Sequence, residues 1–158
     1  MKSIELLAPA KDLQAAVAAV DYGADALYIG GARFGARHAA GNSAEEIARA
    51  VEYAHQYGVR VHATLNTLLY DGELAEAERQ ARELIAAGVD ALILADLGAF
   101  TLAGKYAPRC QRHISTQQSI ANYASAAAWY DLGATRVVLA RELSLDEIRT
   151  IRAKTPKE

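Results

Sequence analysis

Apolar helical stretches in this chain stop at glycines, and two or three residues after each glycine a short aliphatic or β-branched run begins. The phrase recurs at Tyr22-Gly23-Ala24-Asp25-Ala26-Leu27, Tyr57-Gly58-Val59-Arg60-Val61, Ala87-Gly88-Val89-Asp90-Ala91-Leu92 and Leu132-Gly133-Ala134-Thr135-Arg136-Val137. A glycine where a helix needs a left-handed residue to stop, followed by an apolar run too short for a helix, predicts a helix feeding a buried strand. The pattern predicts strands at Ile4–Ala8, Ala26–Gly30, Arg60–Asn66, Ala91–Ala95, His113–Thr116 and Arg136–Ala140. Between them it predicts helices over Lys11–Tyr22, from Ser43, from an Asp71 cap to Ala87, a short one ending before Pro108, Ile120–Asp131, and one launched at Ser144. Ser43 with Glu46, and Ser144 with Glu147, have the spacing of a capping box.

Strands alternating with helices imply a parallel sheet whose ligands gather at the carboxyl ends of the strands. The reading is an α/β, TIM-barrel-like (β/α) domain over residues 1–158, truncated after about six βα units where a closed barrel has eight. An open doubly wound sheet has the same periodicity and stays as the rival. In the barrel the first and last strands are unpaired edges, so self-association is expected, as is pairing with a missing carboxyl-terminal barrel segment.

Composition narrows the class without naming a function. The 158 residues, 52% hydrophobic, suffice for one core. A single cysteine, Cys110, excludes a disulfide framework and a self-contained cysteine metal site. A net charge of -2 provides no field for nucleic acid, so any RNA contact would rest on a local basic loop. No apolar run is long enough to span a membrane, and the start lacks the core of a signal peptide, which together suggest a cytoplasmic protein.

Strand alternation then sorts the polar residues. In the third strand Val61, Ala63 and Leu65 should face the helices, and His62, Thr64 and Asn66 the interior; in the fifth, His113, Ser115 and Gln117 share one side. Asp96 follows the fourth strand, and Arg141 and Glu142 the sixth, so polar groups converge on one mouth. Each has a plainer reading: His62 and His113 as hydrogen-bonded core residues, Asp96 as a helix cap, Arg141 with Glu142 as a surface ion pair. Asp25 and Asp90, at the amino ends of their strands, read as structural, and Cys110 between Arg109 and Arg112 could have a lowered thiol pKa. The long loop from Gly31 to Asn42 puts Arg33, Arg37 and His38 beside Phe34, a set suited to a phosphate, a carboxylate or a stacked base.

Glu5-Leu6-Leu7-Ala8-Pro9-Ala10, Gly23 to Gly31, Thr64-Leu65-Asn66-Thr67, Gly88 to Ile93 and Val138 to Ser144 resemble, in order, the amino-terminal catalytic region of the peptidase U32 family. Gly35-Ala36-Arg37-His38 followed by Asn42-Ser43 is most similar to the branch that forms 5-hydroxycytidine in bacterial large-subunit ribosomal RNA. Sister branches hydroxylate transfer RNA or act in quinone synthesis, and others carry a collagen-degrading protease label. The resemblance implies prephenate-dependent hydroxylation of RNA, with an iron–sulfur cluster in the full-length parent and no cofactor in this stretch, which would then be inactive alone. It also implies a site at the barrel mouth with Arg37, His38, Asn66, Asp96, Gln117, Arg141 and Glu142 as substrate-binding or supporting candidates, no assigned catalytic residue and no metal ligand. A U32 peptidase and a non-enzymatic folding or binding unit are the alternatives.

Overall fold

The computed structural model describes residues 4–36, 41–106 and 110–155. Within them six strands, β1 (Leu7–Ala10), β2 (Ala26–Gly30), β3 (Arg60–Leu65), β4 (Ala91–Leu94), β5 (Gln111–Ile114) and β6 (Arg136–Val137), alternate with six helices. The helices are α1 (Leu13–Asp21), α2 (Ala44–Gln56), α3 (Leu74–Ala86), α4 (Leu97–Tyr106), α5 (Tyr123–Asp131) and α6 (Leu145–Lys154). Every neighbouring pair is parallel, and the sheet runs β1-β2-β3-β4-β5-β6. A doubly wound sheet reverses its strand order at a switch point, and this one never does. The architecture is that of a TIM-like barrel grown to six units.

Four helix ends explain the regularity. Gly23, Gly58, Gly88 and Gly133 have φ of 89°, 71°, 91° and 100°, a region that glycine enters at little cost. The next residue's N–H then turns back to the last helical turn, as Ala24 to the Ala19 carbonyl and Val59 to that of Ala54, which satisfies carbonyls the helix would leave open. One residue further, Asp25 accepts from the Leu6 N–H at 2.7 Å and Asp90 from the Val61 N–H at 2.7 Å, so each carboxylate pins a new strand to its predecessor. Both aspartates are structural, as the sequence suggests.

Alternation distributes the side chains as expected. Leu27, Ile29, Val61, Ala63, Leu65, Leu92, Leu94 and Ile114 are fully buried under the helices with Ile47 and Leu84, each large one contributing about 1.5–3 kcal/mol of transfer energy. His62, Thr64 and Asn66 from β3, and His113 and Ser115 from β5, are buried on the other face. At its amino end, that inner face holds a charged cluster. The Glu5 carboxylate meets the guanidinium groups of both Arg60 and Arg136, the latter 131 residues away. Burial raises the Glu5 pKa, but the two arginines outweigh it and leave it below the ordinary value. The outer strands have no strand neighbour on one side, yet this cluster ties β1 to β6.

Several boundaries differ from expectation, each for a local reason. The first strand is Leu7–Ala10, not Ile4–Ala8, because the Asp25 staple starts pairing at Leu6 and leaves Ile4 exposed. Asp12, accepting from Ala15 N–H, caps α1, which therefore begins later than Lys11. Asp71 opens a 3-10 turn over Asp71–Glu73 instead of capping α3. The fifth strand ends at Ile114 because Ser115 caps a second 3-10 turn, Thr116–Gln118, and α5 waits for its Asn122 cap past a left-handed Ser119. The sixth shrinks to Arg136–Val137, an edge strand with one neighbour. Both capping boxes form. Pro108, the expected stop after α4, lies outside the described residues.

Candidate functional site

Asn66 sits at the carboxyl end of β3, only 3% exposed, and organises the mouth. Its backbone N–H donates to the Phe34 carbonyl at 2.7 Å, and its side-chain Oδ1 accepts from the Ala36 N–H at 3.0 Å. Both bonds hold the β2–α2 loop over the strand ends. With Oδ1 so engaged, Nδ2 points at two hydroxyls, Tyr28 Oη at 3.5 Å and Ser115 Oγ at 3.4 Å. Ser115 in turn donates to Gln117 Oε1 at 3.4 Å and accepts from the Gln117 N–H at 3.3 Å. Three strands thus feed one polar chain, Tyr28 to Asn66 to Ser115 to Gln117, whose side-chain links are long enough to tighten around a ligand.

Beside that chain opens a cleft of about 280 Å³, lined by Pro9, Ala10, Lys11, Ala15, Tyr28, Gly30 and Thr64. It lies at the carboxyl ends of β1, β2 and β3, where barrel enzymes place their chemistry. The Asn42 amide donates to the carbonyls of Lys11 and Gly30 at 3.0 and 2.9 Å and so fixes the cleft's rim. Lys11 itself holds its ammonium in solvent, 3.6 Å from Asp12.

The other sequence candidates divide. Asp96 Oδ1 accepts from the Ala99 N–H at 2.9 Å and caps α4, the plainer of its two readings. Gln117 is exposed at the rim, joined to Asn66 through Ser115. Arg141 and Glu142 are exposed after β6 and form no ion pair with each other or with another described residue. Arg37 and His38 lie outside the described residues, as does Arg109. The loop's remaining cation and aromatic are already committed. Arg33 is paired with Glu76 at 2.6 Å, and Phe34 is buried at φ 56° with its carbonyl held by β3, so neither is offered to a ligand.

Two chemical expectations are corrected. Burial pushes the Cys110 thiol up to about 11, whatever its arginine neighbours; Arg112 instead stacks on Phe100 and donates to the Phe100 and Gly133 carbonyls. His113 is hydrogen-bonded, to Gln111 Oε1 at 3.0 Å, whereas both ring nitrogens of His62 are buried without a partner. The two imidazoles meet edge to face, centroids 4.8 Å apart, and burial lowers both pKa values, that of His113 to about 3. Among the described residues no group of three or more His, Cys, Asp or Glu could hold a metal ion, and no helix is long and apolar enough to cross a membrane.

Tyr28, Thr64, Lys11 and Ser115 are the site residues that sequence candidates omitted. Alternation already turned Thr64 and Ser115 inward; Tyr28, the aromatic of β2, shares their face through its register with His62.

Comparison with known proteins fits this geometry. The chain is 48% identical over 152 residues to the 23S rRNA 5-hydroxycytidine C2501 synthase of Escherichia coli, covering 96% of this chain and 23% of that protein. It is 40% identical over 158 residues to the tRNA hydroxylation protein P1 of Bacillus subtilis, covering 99% and 37%. An uncharacterized protease, MJ0090 of Methanocaldococcus jannaschii, is 38% identical over 159 residues, 38% of its length. The chain therefore spans well under half of these curated relatives. Among solved structures, the U32 peptidase Mk0906 superposes with a TM-score of 0.74 at 18% identity, over 98% of this chain and 68% of that one, a likeness of fold. Residues 11–158 match the profile of peptidase family U32, and the chain belongs to that family.

Proposed function

We propose that this chain forms the substrate-facing part of an RNA hydroxylase that makes 5-hydroxycytidine in 23S ribosomal RNA, working in the cytoplasm and depending on prephenate metabolism. The observation that carries the reading is the 48% identity, extending over 96% of the chain, to a protein with that activity in its name. The mouth agrees chemically: a cleft with an aromatic residue and two hydroxyls suits a base withdrawn from its stack better than it suits a peptide bond under attack. The Ser115 hydroxyl meets only Asn66 and Gln117 among the described residues, so it has no histidine base there.

On this reading Arg37, His38, Arg141 and Glu142 are candidate contacts for the RNA. The donor set does not fit an iron–sulfur cluster, since the single cysteine has a raised pKa and precedes β5 at the far end of the barrel. The cluster belongs, on this reading, to residues outside this chain, and no step here is routed through it. With six of eight barrel strands the 158 residues are expected to be inactive alone. The test is nucleoside mass spectrometry of 23S RNA from cells lacking the parent gene. Hydroxycytidine should vanish and return with the gene; its persistence in the deletion strain defeats the reading.

A further inference from the structure

We infer that the cleft beside Tyr28 and Thr64 accepts the base of cytidine or uridine alike, because the groups facing it have no fixed donor or acceptor sense. The inference rests on the RNA reading above and deepens it.

Thr64 carries the argument. It is 2% exposed, lines the cleft, and its hydroxyl forms no hydrogen bond to another described residue. A cleft-lining hydroxyl that no neighbour fixes in either sense can donate its proton or accept one. Tyr28, the second hydroxyl of the cleft, accepts the long bond from Asn66 and keeps its own proton to donate and a lone pair to share.

Groups of fixed sense lie close by, but they are turned elsewhere. The Asn66 carbonyl oxygen is held by Ala36 and its NH2 faces Tyr28 and Ser115. The Gly30 carbonyl is taken by Asn42. Lys11 is the exception in kind, but its ammonium sits at the solvent-exposed rim, where a nucleotide's phosphate would pass.

Cytosine presents an amino donor where uracil presents a carbonyl acceptor, and the neighbouring ring nitrogen reverses in the same way. An amide, carboxylate or guanidinium locked in place would favour one base and leave an unpaired group against the other. A hydroxyl rotates to suit either, so exchanging the bases costs the site no hydrogen bond.

The experiment measures binding of the 158-residue chain to labelled RNA heptamers that are abasic except for a central cytidine or uridine, with an all-abasic strand as control, by fluorescence anisotropy at one salt concentration. The cytidine and uridine strands should bind within about threefold of each other, and both about tenfold tighter than the abasic strand. Thr64→Val, checked for folding by circular dichroism, should weaken both by a similar factor of about five. A preference for one pyrimidine of about tenfold or more overturns the inference and leaves the RNA reading standing. Equal binding of all three strands also overturns it, since the base is then not held. Binding of no strand removes the RNA reading, and this inference with it.

Discussion

His62 is buried with two ring nitrogens that bond to nothing, and His113 lies edge-on against it. Desolvation disfavours the charged imidazolium in both, so each takes up protons more readily unfolded than folded. The sign follows from linkage: between about pH 3 and 6.5 the unfolded chain binds the extra proton, so stability declines as pH falls through that window. His113 alone should cost about 2 kcal/mol at pH 5 relative to pH 7, and His62 adds to it. Urea unfolding at the two pH values measures this; equal stability would contradict the burial. Because the His62 nitrogens have no partner to lose, His62→Leu should raise stability at pH 7 by about 1 kcal/mol, against the usual trend for core changes, and flatten the acid slope. The direction of both histidines was legible from strand alternation. Their bonding was not, because it depends on which residue lies across the barrel, and a single strand's sequence carries no such information.

The loop between β2 and α2 shows how an element is claimed by partners distant in sequence. Gln80 on α3 accepts from the Arg33 N–H at 3.1 Å and donates to the Arg33 carbonyl at 2.6 Å, clamping the backbone of one residue from both sides. Glu76, one turn earlier, takes the Arg33 guanidinium. A Cβ on Gly31 would come within 2.6 Å of the Gln80 amide, so the clamp requires glycine there as well. Gln80→Ala should cost about 2 kcal/mol, two bonds of about 1 kcal/mol each, and hydrogen exchange should show the Arg33 amide losing protection. Unchanged protection would mean that the loop is held from β3 alone. The sequence shows this loop and its glycines, and Arg33 beside Phe34 reads there as suited to a ligand or as part of a solvated loop. Nothing in the loop itself announces that α3 will take Arg33 and the end of β3 the Phe34 carbonyl. Asn66 and Gln117 were legible for the opposite reason, since each stands at a strand's carboxyl end, a position fixed by local pattern.

At the scale of the molecule, four helix-ending glycines together with the short apolar runs sufficed for the architecture, and the six units appear in the expected order. Strand lengths escaped that count because edges fray and caps compete with pairing. The two sheet edges leave apolar side chains uncovered, Leu7 of β1 at 40% and Val138, just past β6, at 39% exposed. Sedimentation should therefore show concentration-dependent association of the isolated chain, and Val138→Lys should shift it toward monomer by about tenfold in dissociation constant. A monomer at all concentrations would mean that the edges are closed in solution. Strand order has a further consequence, for synthesis. Each strand bonds to the one made just before it, so a chain emerging from the ribosome can lay every new unit onto a finished template without waiting for distant sequence. The bond between Glu5 and Arg136, which spans the whole sheet, must wait until the last strand has been translated.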